Sequence, residues 1–132
     1  MSLETDSGAT LDASALLAML QSEPGGEIVE RHISRAAISA VNWSEVVQKT
    51  NERGFATEGL RTALEALGLQ VIDFSADHAE STARLRAATR FLGLSLADRA
   101  CLALALERGE PAFTTDRDWA GLSVGVEILA LR

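Results

Sequence analysis

Short apolar runs alternate with longer stretches of helical periodicity along nearly the whole chain. The short runs are typical of buried strands, and apolar spacing of three and four residues is typical of amphipathic helices. The predicted strands cover residues 9–12, 36–41, 69–74, 111–114 and 124–129. The predicted helices cover residues 13–21, 24–32, 42–53, 57–67, 76–92 and 96–107, with a further helical turn over 116–120.

The order of these elements predicts an α/β domain. Strands alternate with helices, and four of the helices are followed by glycine. Pro24 is predicted at the first position of the second helix. Because the strands are largely apolar, we expect a mostly parallel sheet buried between helices, with ligands bound beyond the carboxyl ends of its strands. The polar residues 1–7 are predicted to form a loose tail, which leaves residues 8–132 as one domain.

The composition excludes several classes of protein. With 47% hydrophobic and 23% charged residues, the chain is neither disordered nor fibrous. The longest apolar run, residues 13–20, is too short to cross a bilayer, and no basic segment leads into an apolar one as in a secretory signal. The single cysteine, Cys101, excludes an internal disulfide framework. We therefore expect a cytoplasmic protein without a membrane role.

The net charge is negative, because 19 acidic residues face 12 basic ones, giving −7 at pH 7. Net charge alone argues against a nucleic-acid-binding protein. Arg35, Arg99 and Arg117 adjoin acidic segments and are candidates for phosphate contacts, although local ion pairs or solvent explain them as well. Arg86 and Arg90 are predicted on one face of a long helix, where a solvated face is the simpler interpretation.

Two acidic residues stand at the ends of predicted strands. Asp12 ends the first strand and opens the first helix, where aspartate is a favoured N-cap. Asp116 follows Thr114 and Thr115, where an Asx-turn or a helix cap would explain it. Taken alone, each acid has a structural interpretation.

Two further acids have the spacing of capping boxes: Glu45 lies three residues after Asn42, and Asp98 three residues after Ser95. Taken together, the four acids follow strands or open helices, places that converge on one cleft in a doubly wound sheet. Clustered carboxylates repel one another unless a cation neutralises them, and hard oxygen ligands suit Mg²⁺ or Mn²⁺. The pattern therefore favours a metal site that activates water for attack on a phosphate.

Four stretches of this chain, in the same order, resemble motifs of PIN-domain ribonucleases, particularly the VapC-type toxins of bacterial toxin–antitoxin pairs. They are LDASALLA at 11–18, ISAVNWSEV at 38–46, GLSLADRACLALA at 93–105 and FTTDRDW at 113–119. Each motif alone is weak, but four in order at this spacing are specific. The resemblance covers about residues 8–132.

The resemblance implies a three-layer α/β/α fold with a five-stranded parallel sheet. It also implies Mg²⁺- or Mn²⁺-dependent cleavage of RNA and neutralisation by a cognate antitoxin. The residues that would bind metal and carry catalysis are Asp12, Glu45, Asp98 and Asp116. Their polar neighbours would be Ser14, Thr114 and, as an outer ligand, Asp118.

Other functions remain open at this point. The same fold with a degenerate site would act only as a binding module for a protein. An aspartate-nucleophile phosphatase would need a second acid where Ser14 stands, and a phosphoryl-accepting receiver would need a lysine after a late strand, whereas the only lysine is Lys49.

The first predicted helix is apolar on more than one face, with Leu16, Leu17 and Leu20. Such a helix would contact either a second copy of the chain, in a homodimer, or an antitoxin peptide. A buried crossover helix has the same pattern.

Overall fold

The computed structural model describes residues 8–132, so the tail predicted for residues 1–7 lies outside the described residues. The strands are β1 (Ala9–Leu11), β2 (Ala36–Ser39), β3 (Gln70–Ile72), β4 (Ala112–Thr114) and β5 (Ile128–Ala130). The helices are α1 (Ala13–Leu20), α2 (Gly26–His32), α3 (Ala40–Glu52), α4 (Leu60–Ala66), α5 (Ala76–Arg84), α6 (Arg86–Thr89) and α7 (Leu96–Arg108). Short 3₁₀ turns span Ile33–Arg35, Arg90–Leu92 and Arg117–Gly121.

The strand β1 lies at the centre of a five-stranded sheet with the order β3-β2-β1-β4-β5. Every pairing in this sheet is parallel, and Leu11 of β1 pairs with both Ile38 of β2 and Phe113 of β4. The predicted α/β class and five-stranded sheet are confirmed. Because the strand order reverses between β1 and β4, their carboxyl ends flank the crevice where open α/β sheets bind ligands.

Alternate strand residues face opposite layers of helices. Leu11 packs in a buried cluster with Leu16 of α1 and Val46 of α3. Ala112 packs in a second cluster that contains Cys101 of α7. The helices α1 to α4 therefore cover one face of the sheet and α7, with α5 packed against it, covers the other, which is the expected three-layer arrangement.

The second helix begins later than predicted. Pro24 is not its first residue, because α2 starts at Gly26, directly after Gly25 in the left-handed region of backbone conformation (φ 93°). A Cβ atom on Gly26 would lie 2.3 Å from the carbonyl oxygen of Ala18. The close crossing of α1 and α2 therefore requires glycine at this position.

The third helix begins earlier than predicted. The strand β2 ends at Ser39, whose Oγ accepts the N–H of Val41 (3.2 Å), so Ser39 caps α3. The prediction that Asn42 and Glu45 form a capping box is therefore wrong. Both residues lie inside α3, three positions apart, and share one face near its beginning.

The long helix predicted over 76–92 is broken in two places. It divides into α5, α6 and a 3₁₀ turn, with the first break at Leu85. The hydroxyl of Thr82 donates to the carbonyl oxygen of His78 (2.7 Å), and that of Thr89 donates to the carbonyl oxygen of Leu85 (2.8 Å). Such bonds to the carbonyl four residues earlier often bend helices. Because they involve polar side chains, the spacing of the apolar residues does not reveal the breaks.

The apolar first helix is a buried crossover. Leu16 and Leu17 are buried within the monomer, and Leu20 packs at the edge of the same cluster. Its apolar faces are therefore explained by the sheet and α2 rather than by a second chain. Across residues 8–132, no helix is both long enough and apolar enough to span a bilayer.

Candidate metal and catalytic site

Asp12 lies at the carboxyl end of the central strand and is only 6% exposed. Its Oδ1 accepts the N–H of Ala15 (2.8 Å) and the hydroxyl of Ser14 (2.7 Å), and its Oδ2 accepts the hydroxyl of Thr114 (2.6 Å). Asp12 is thus the N-cap of α1, as the sequence predicts. It also joins α1 to the end of β4, which a cap alone would not do.

The two hydroxyl groups that donate to Asp12, those of Ser14 and Thr114, also hold the turn after β4. The N–H of Thr115 donates to Ser14 Oγ, and the N–H of Asp116 donates to Thr114 Oγ1, both at 3.0 Å. Ser14 and Thr114 therefore connect the Asp12 carboxylate to the backbone that carries Asp116. The side chain of Asp116 accepts the N–H of Asp118 (2.9 Å), which is the predicted Asx-type cap.

Asp98 forms the predicted capping box at the start of α7. The N–H of Ser95 donates to Asp98 Oδ2 (3.0 Å), and the N–H of Asp98 donates to Ser95 Oγ (3.1 Å). Glu45, on α3, accepts no hydrogen bond from the described residues and is half-buried. The capping box holds Asp98 in place, whereas no hydrogen bond from the described residues holds the Glu45 carboxylate.

Asn42 is the functional candidate that sequence reasoning missed. It is 0% exposed, and its Nδ2 donates to the carbonyl oxygen of Ala97 (3.0 Å), which ties the first turn of α3 to the first turn of α7. Its Oδ1 has no hydrogen-bond partner among residues 8–132. Glu45 and Asp98 lie on the two helices that this bond joins. The sequence could not show it, because asparagine three positions before glutamate also fits a helix cap.

Three of the acids interact electrostatically, because the charge of Asp98 affects the pKa values of both Asp12 and Glu45. Burial raises the pKa of Asp12 to about 6, although its hydrogen bonds oppose the shift, and the charge of Asp98 adds to it. Burial also raises the pKa of Glu45, against the effect of Lys49, and Asp98 again contributes. Asp98 is therefore a charged neighbour of both Asp12 and Glu45.

The donor atoms suit a hard divalent cation. A carboxylate offers about four lone-pair sites; Asp12 accepts three hydrogen bonds from the described residues, and Asp98 and Asp116 accept one each. Oxygens therefore remain free to bind Mg²⁺ or Mn²⁺. No group of three His, Cys, Asp or Glu side chains within residues 8–132 is already arranged around one point that could hold a metal ion. The side chains would have to turn towards a common ion.

The neighbouring arginines do not all lie where the sequence placed them. Arg99 follows Asp98, but its guanidinium group donates to the carbonyl oxygen of Thr82 (3.1 Å), which holds it against α5. Arg35 precedes β2 and lies at the opposite edge of the sheet, so it does not adjoin the acids. Arg117 is exposed beside Asp116.

The open, parallel sheet, with Asp12 and Asp116 linked at the ends of its central strands, defines a class of α/β protein with acidic residues at the ligand-binding crevice, and comparison with known families identifies the family. A sequence model of the PIN domain matches residues 9–124. The chain belongs to the PIN-domain family. No curated protein sequence matches it.

Solved structures share this fold. A toxin–antitoxin complex from Klebsiella pneumoniae has 24% identity and a TM-score of 0.71, covering 94% of this chain and 98% of that chain. DNA-bound VapBC from Salmonella typhimurium has 21% identity and a TM-score of 0.68, covering 96% and 99%. VapC20 of Mycobacterium tuberculosis, a toxin that cleaves the sarcin–ricin loop, has 21% identity and a TM-score of 0.61, covering 90% and 98%.

Replacing Asp12 by asparagine is expected to stabilise the metal-free protein at neutral pH. The pKa of Asp12 is about 6 in the folded state, against an ordinary value of 3.8 for an aspartate. The contribution of this group is therefore fully present below about pH 4 and is lost as the pH rises through 6. In EDTA, the free energy of unfolding of Asp12→Asn should exceed that of the wild type by about 1–3 kcal/mol at pH 7.5. This difference should vanish near pH 4.

Urea unfolding at both pH values measures this difference. The exposed Asp77 supplies the control, because Asp77→Asn makes the same chemical change without removing a buried charge. An Asp12→Asn protein that is less stable than the wild type at pH 7.5 would contradict the interpretation of the buried charge.

Replacing Asn42 by alanine is expected to lower both stability and metal affinity. The change removes the bond to Ala97 and should cost about 1–3 kcal/mol in the free energy of unfolding. Because this bond joins the helices that carry Glu45 and Asp98, Mn²⁺ binding measured by calorimetry should weaken several-fold. Asn51→Ala, an exposed change on the same helix, is the control; equal Mn²⁺ affinity of the two variants would exclude a positioning role for Asn42.

Proposed function

We propose that this protein is a divalent-metal-dependent endoribonuclease that acts as the toxin of a toxin–antitoxin pair. The observation that carries the proposal is the hydrogen-bonded array linking Asp12, through Ser14 and Thr114, to the Asp116 turn. Membership of the PIN-domain family supports it. So do the structural neighbours, one of which is a toxin that cleaves the sarcin–ricin loop and another a toxin–antitoxin complex.

In this proposal, the residues that bind Mg²⁺ or Mn²⁺ are Asp12, Glu45, Asp98 and Asp116. A bound divalent cation supplies an acidified water and stabilises negative charge on a phosphate under in-line attack. Asp118, whose side chain is exposed, is proposed as an outer ligand.

The chain's own contribution is to hold its carboxylates in place. The hydroxyl groups of Ser14 and Thr114 each donate a hydrogen bond to Asp12, and these bonds hold its carboxylate oxygens in place. The same hydroxyl oxygens accept backbone N–H groups of the Asp116 turn, which fixes the distance between the two acids. Polar groups that are held before the reaction need no reorganisation during it.

Cleavage of a labelled single-stranded RNA of mixed sequence tests this function. We expect cleavage with Mg²⁺ or Mn²⁺, none in EDTA, and a loss of about 100-fold or more in Asp12→Asn, because a lost ligand removes several kcal/mol of charge stabilisation. Asp77→Asn, purified identically, should cleave like the wild type and controls for contaminating nuclease. Cleavage by Asp12→Asn at the wild-type rate would rule out the proposed role of Asp12.

A second function is a PIN-like binding module with a degenerate site. The observation that favours it is that the acids within residues 8–132 do not already surround a point that could hold a metal ion. The presence of all four acids favours the nuclease instead. Mn²⁺ binding by calorimetry without turnover of any RNA would decide for the module.

We also propose two protein partners, a cognate antitoxin and a second copy of this chain in a homodimer. Leu67 and Leu106 are large apolar side chains that the monomer leaves exposed, and they provide apolar area for such contacts. Light scattering of the purified protein is expected to give the mass of a dimer, and a monomer at micromolar concentration would exclude it.

A further inference from the structure

The segment that leads into Asp98 has an unusual charge for this protein. Between Glu80 and Asp98 there is no acidic residue, whereas Arg84, Arg86 and Arg90 all lie there. The segment therefore carries +3 in a chain whose net charge is −7. All three arginines are exposed.

The arginines of this segment have no partners in the fold. No ion pair or side-chain hydrogen bond within residues 8–132 involves Arg84, Arg86 or Arg90. Arg99 and Arg108, in contrast, are occupied by a carbonyl oxygen and a carboxylate of the fold. The guanidinium groups of Arg84, Arg86 and Arg90 are therefore available to an anion from outside the chain.

The segment is nevertheless held firmly against the core. Leu85 and Leu92 pack on the cluster beneath α7, and Thr89 is buried with its hydroxyl bonded to the carbonyl oxygen of Leu85 (2.8 Å). Phe91 lies in the 3₁₀ turn after α6 and is 70% exposed. The aromatic ring and the three arginines thus stand on a fixed surface, which we call the basic strip (residues 84–91).

The Phe91 end of the basic strip lies close to Asp98, one of the proposed metal-binding acids. The N–H of Ser95 donates to Asp98 Oδ2 (3.0 Å), and Ser95 follows Phe91 by four residues. Four residues span at most about 14 Å. A nucleic-acid strand lying on Phe91 would therefore reach Asp98 within a few nucleotides.

We infer that the basic strip binds single-stranded RNA on its way to the acids, with Arg86 and Arg90 on phosphates and Phe91 stacked on a base. This inference rests on the proposed function and specifies its substrate surface. Positive side chains without partners complement phosphates, and an exposed aromatic ring that follows Arg90 directly is what an unpaired base stacks on.

Fluorescence anisotropy with a labelled twelve-nucleotide RNA of mixed sequence, in EDTA to prevent turnover, tests the inference. Arg86→Ala/Arg90→Ala should weaken binding and make the salt dependence shallower by about 1.4 in log–log slope, since each phosphate contact contributes about 0.7. Phe91→Ala should weaken binding about tenfold with an unchanged slope, and Phe91→Trp should restore it. A duplex of the same length should be insensitive to Phe91→Ala, because its bases are already stacked.

Two controls match these changes. Phe55 is 63% exposed after the end of α3, and Arg61 is exposed on α4, both in the helical layer opposite the basic strip. Phe55→Ala and Arg61→Ala should bind RNA like the wild type. If they weaken binding as much as the strip variants do, the contacts are nonspecific and the inference is wrong.

The outcomes separate this inference from the proposed function. Metal-dependent cleavage that survives unchanged in both strip variants, with unchanged RNA affinity, overturns the inference and leaves the nuclease standing. Reduced affinity in these variants, from a protein that cleaves no RNA, supports the strip and rejects the nuclease. If Phe91→Ala converts a dimer into a monomer without changing RNA affinity, a second copy covers the surface and the inference is wrong.

Discussion

The arrangement depends on one buried carboxylate at the end of the central strand. Asp12 has no cationic partner among the described residues and is stabilised by three donors, from Ser14, Ala15 and Thr114. Those donors come from the start of α1 and the end of β4, so one charge fixes two elements against the sheet. The raised pKa of Asp12 shows that these bonds only partly offset its burial. A carboxylate whose pKa is raised by burial is typical of functional sites.

Structural and catalytic interpretations of the acids do not compete. Asp12 caps α1, Asp98 closes the capping box of α7, and Asp116 caps the 3₁₀ turn after β4. A carboxylate that caps a helix uses only some of its lone pairs and has its position fixed by the backbone. Capping therefore places the acids where parallel strands end, and the remaining lone pairs are free for a cation.

Much of the fold was predictable because strands of a parallel sheet are short apolar runs, and Asp12, Asp98 and Asp116 were predictable because caps have local signatures. The rest depended on tertiary contacts. Asn42 bonds to Ala97, 55 positions away, and nothing near it in sequence indicates that contact. The assembly of the four acids around an ion stays a prediction that rests on the motifs, and no local pattern gives the direction in which Glu45 points.

Charge distribution is more informative here than total charge. A net charge of −7 argues against phosphate binding, yet the excess of acid is not spread evenly, since residues 81–97 contain three arginines and no acid. A continuous helix would have set Arg86 and Arg90 on one face; instead Arg86 begins α6 and Arg90 begins the 3₁₀ turn that contains Phe91 and leads towards Asp98. Repulsion by the rest of the surface would weaken nonspecific contacts with RNA, so that attraction is confined to the side where the acids lie.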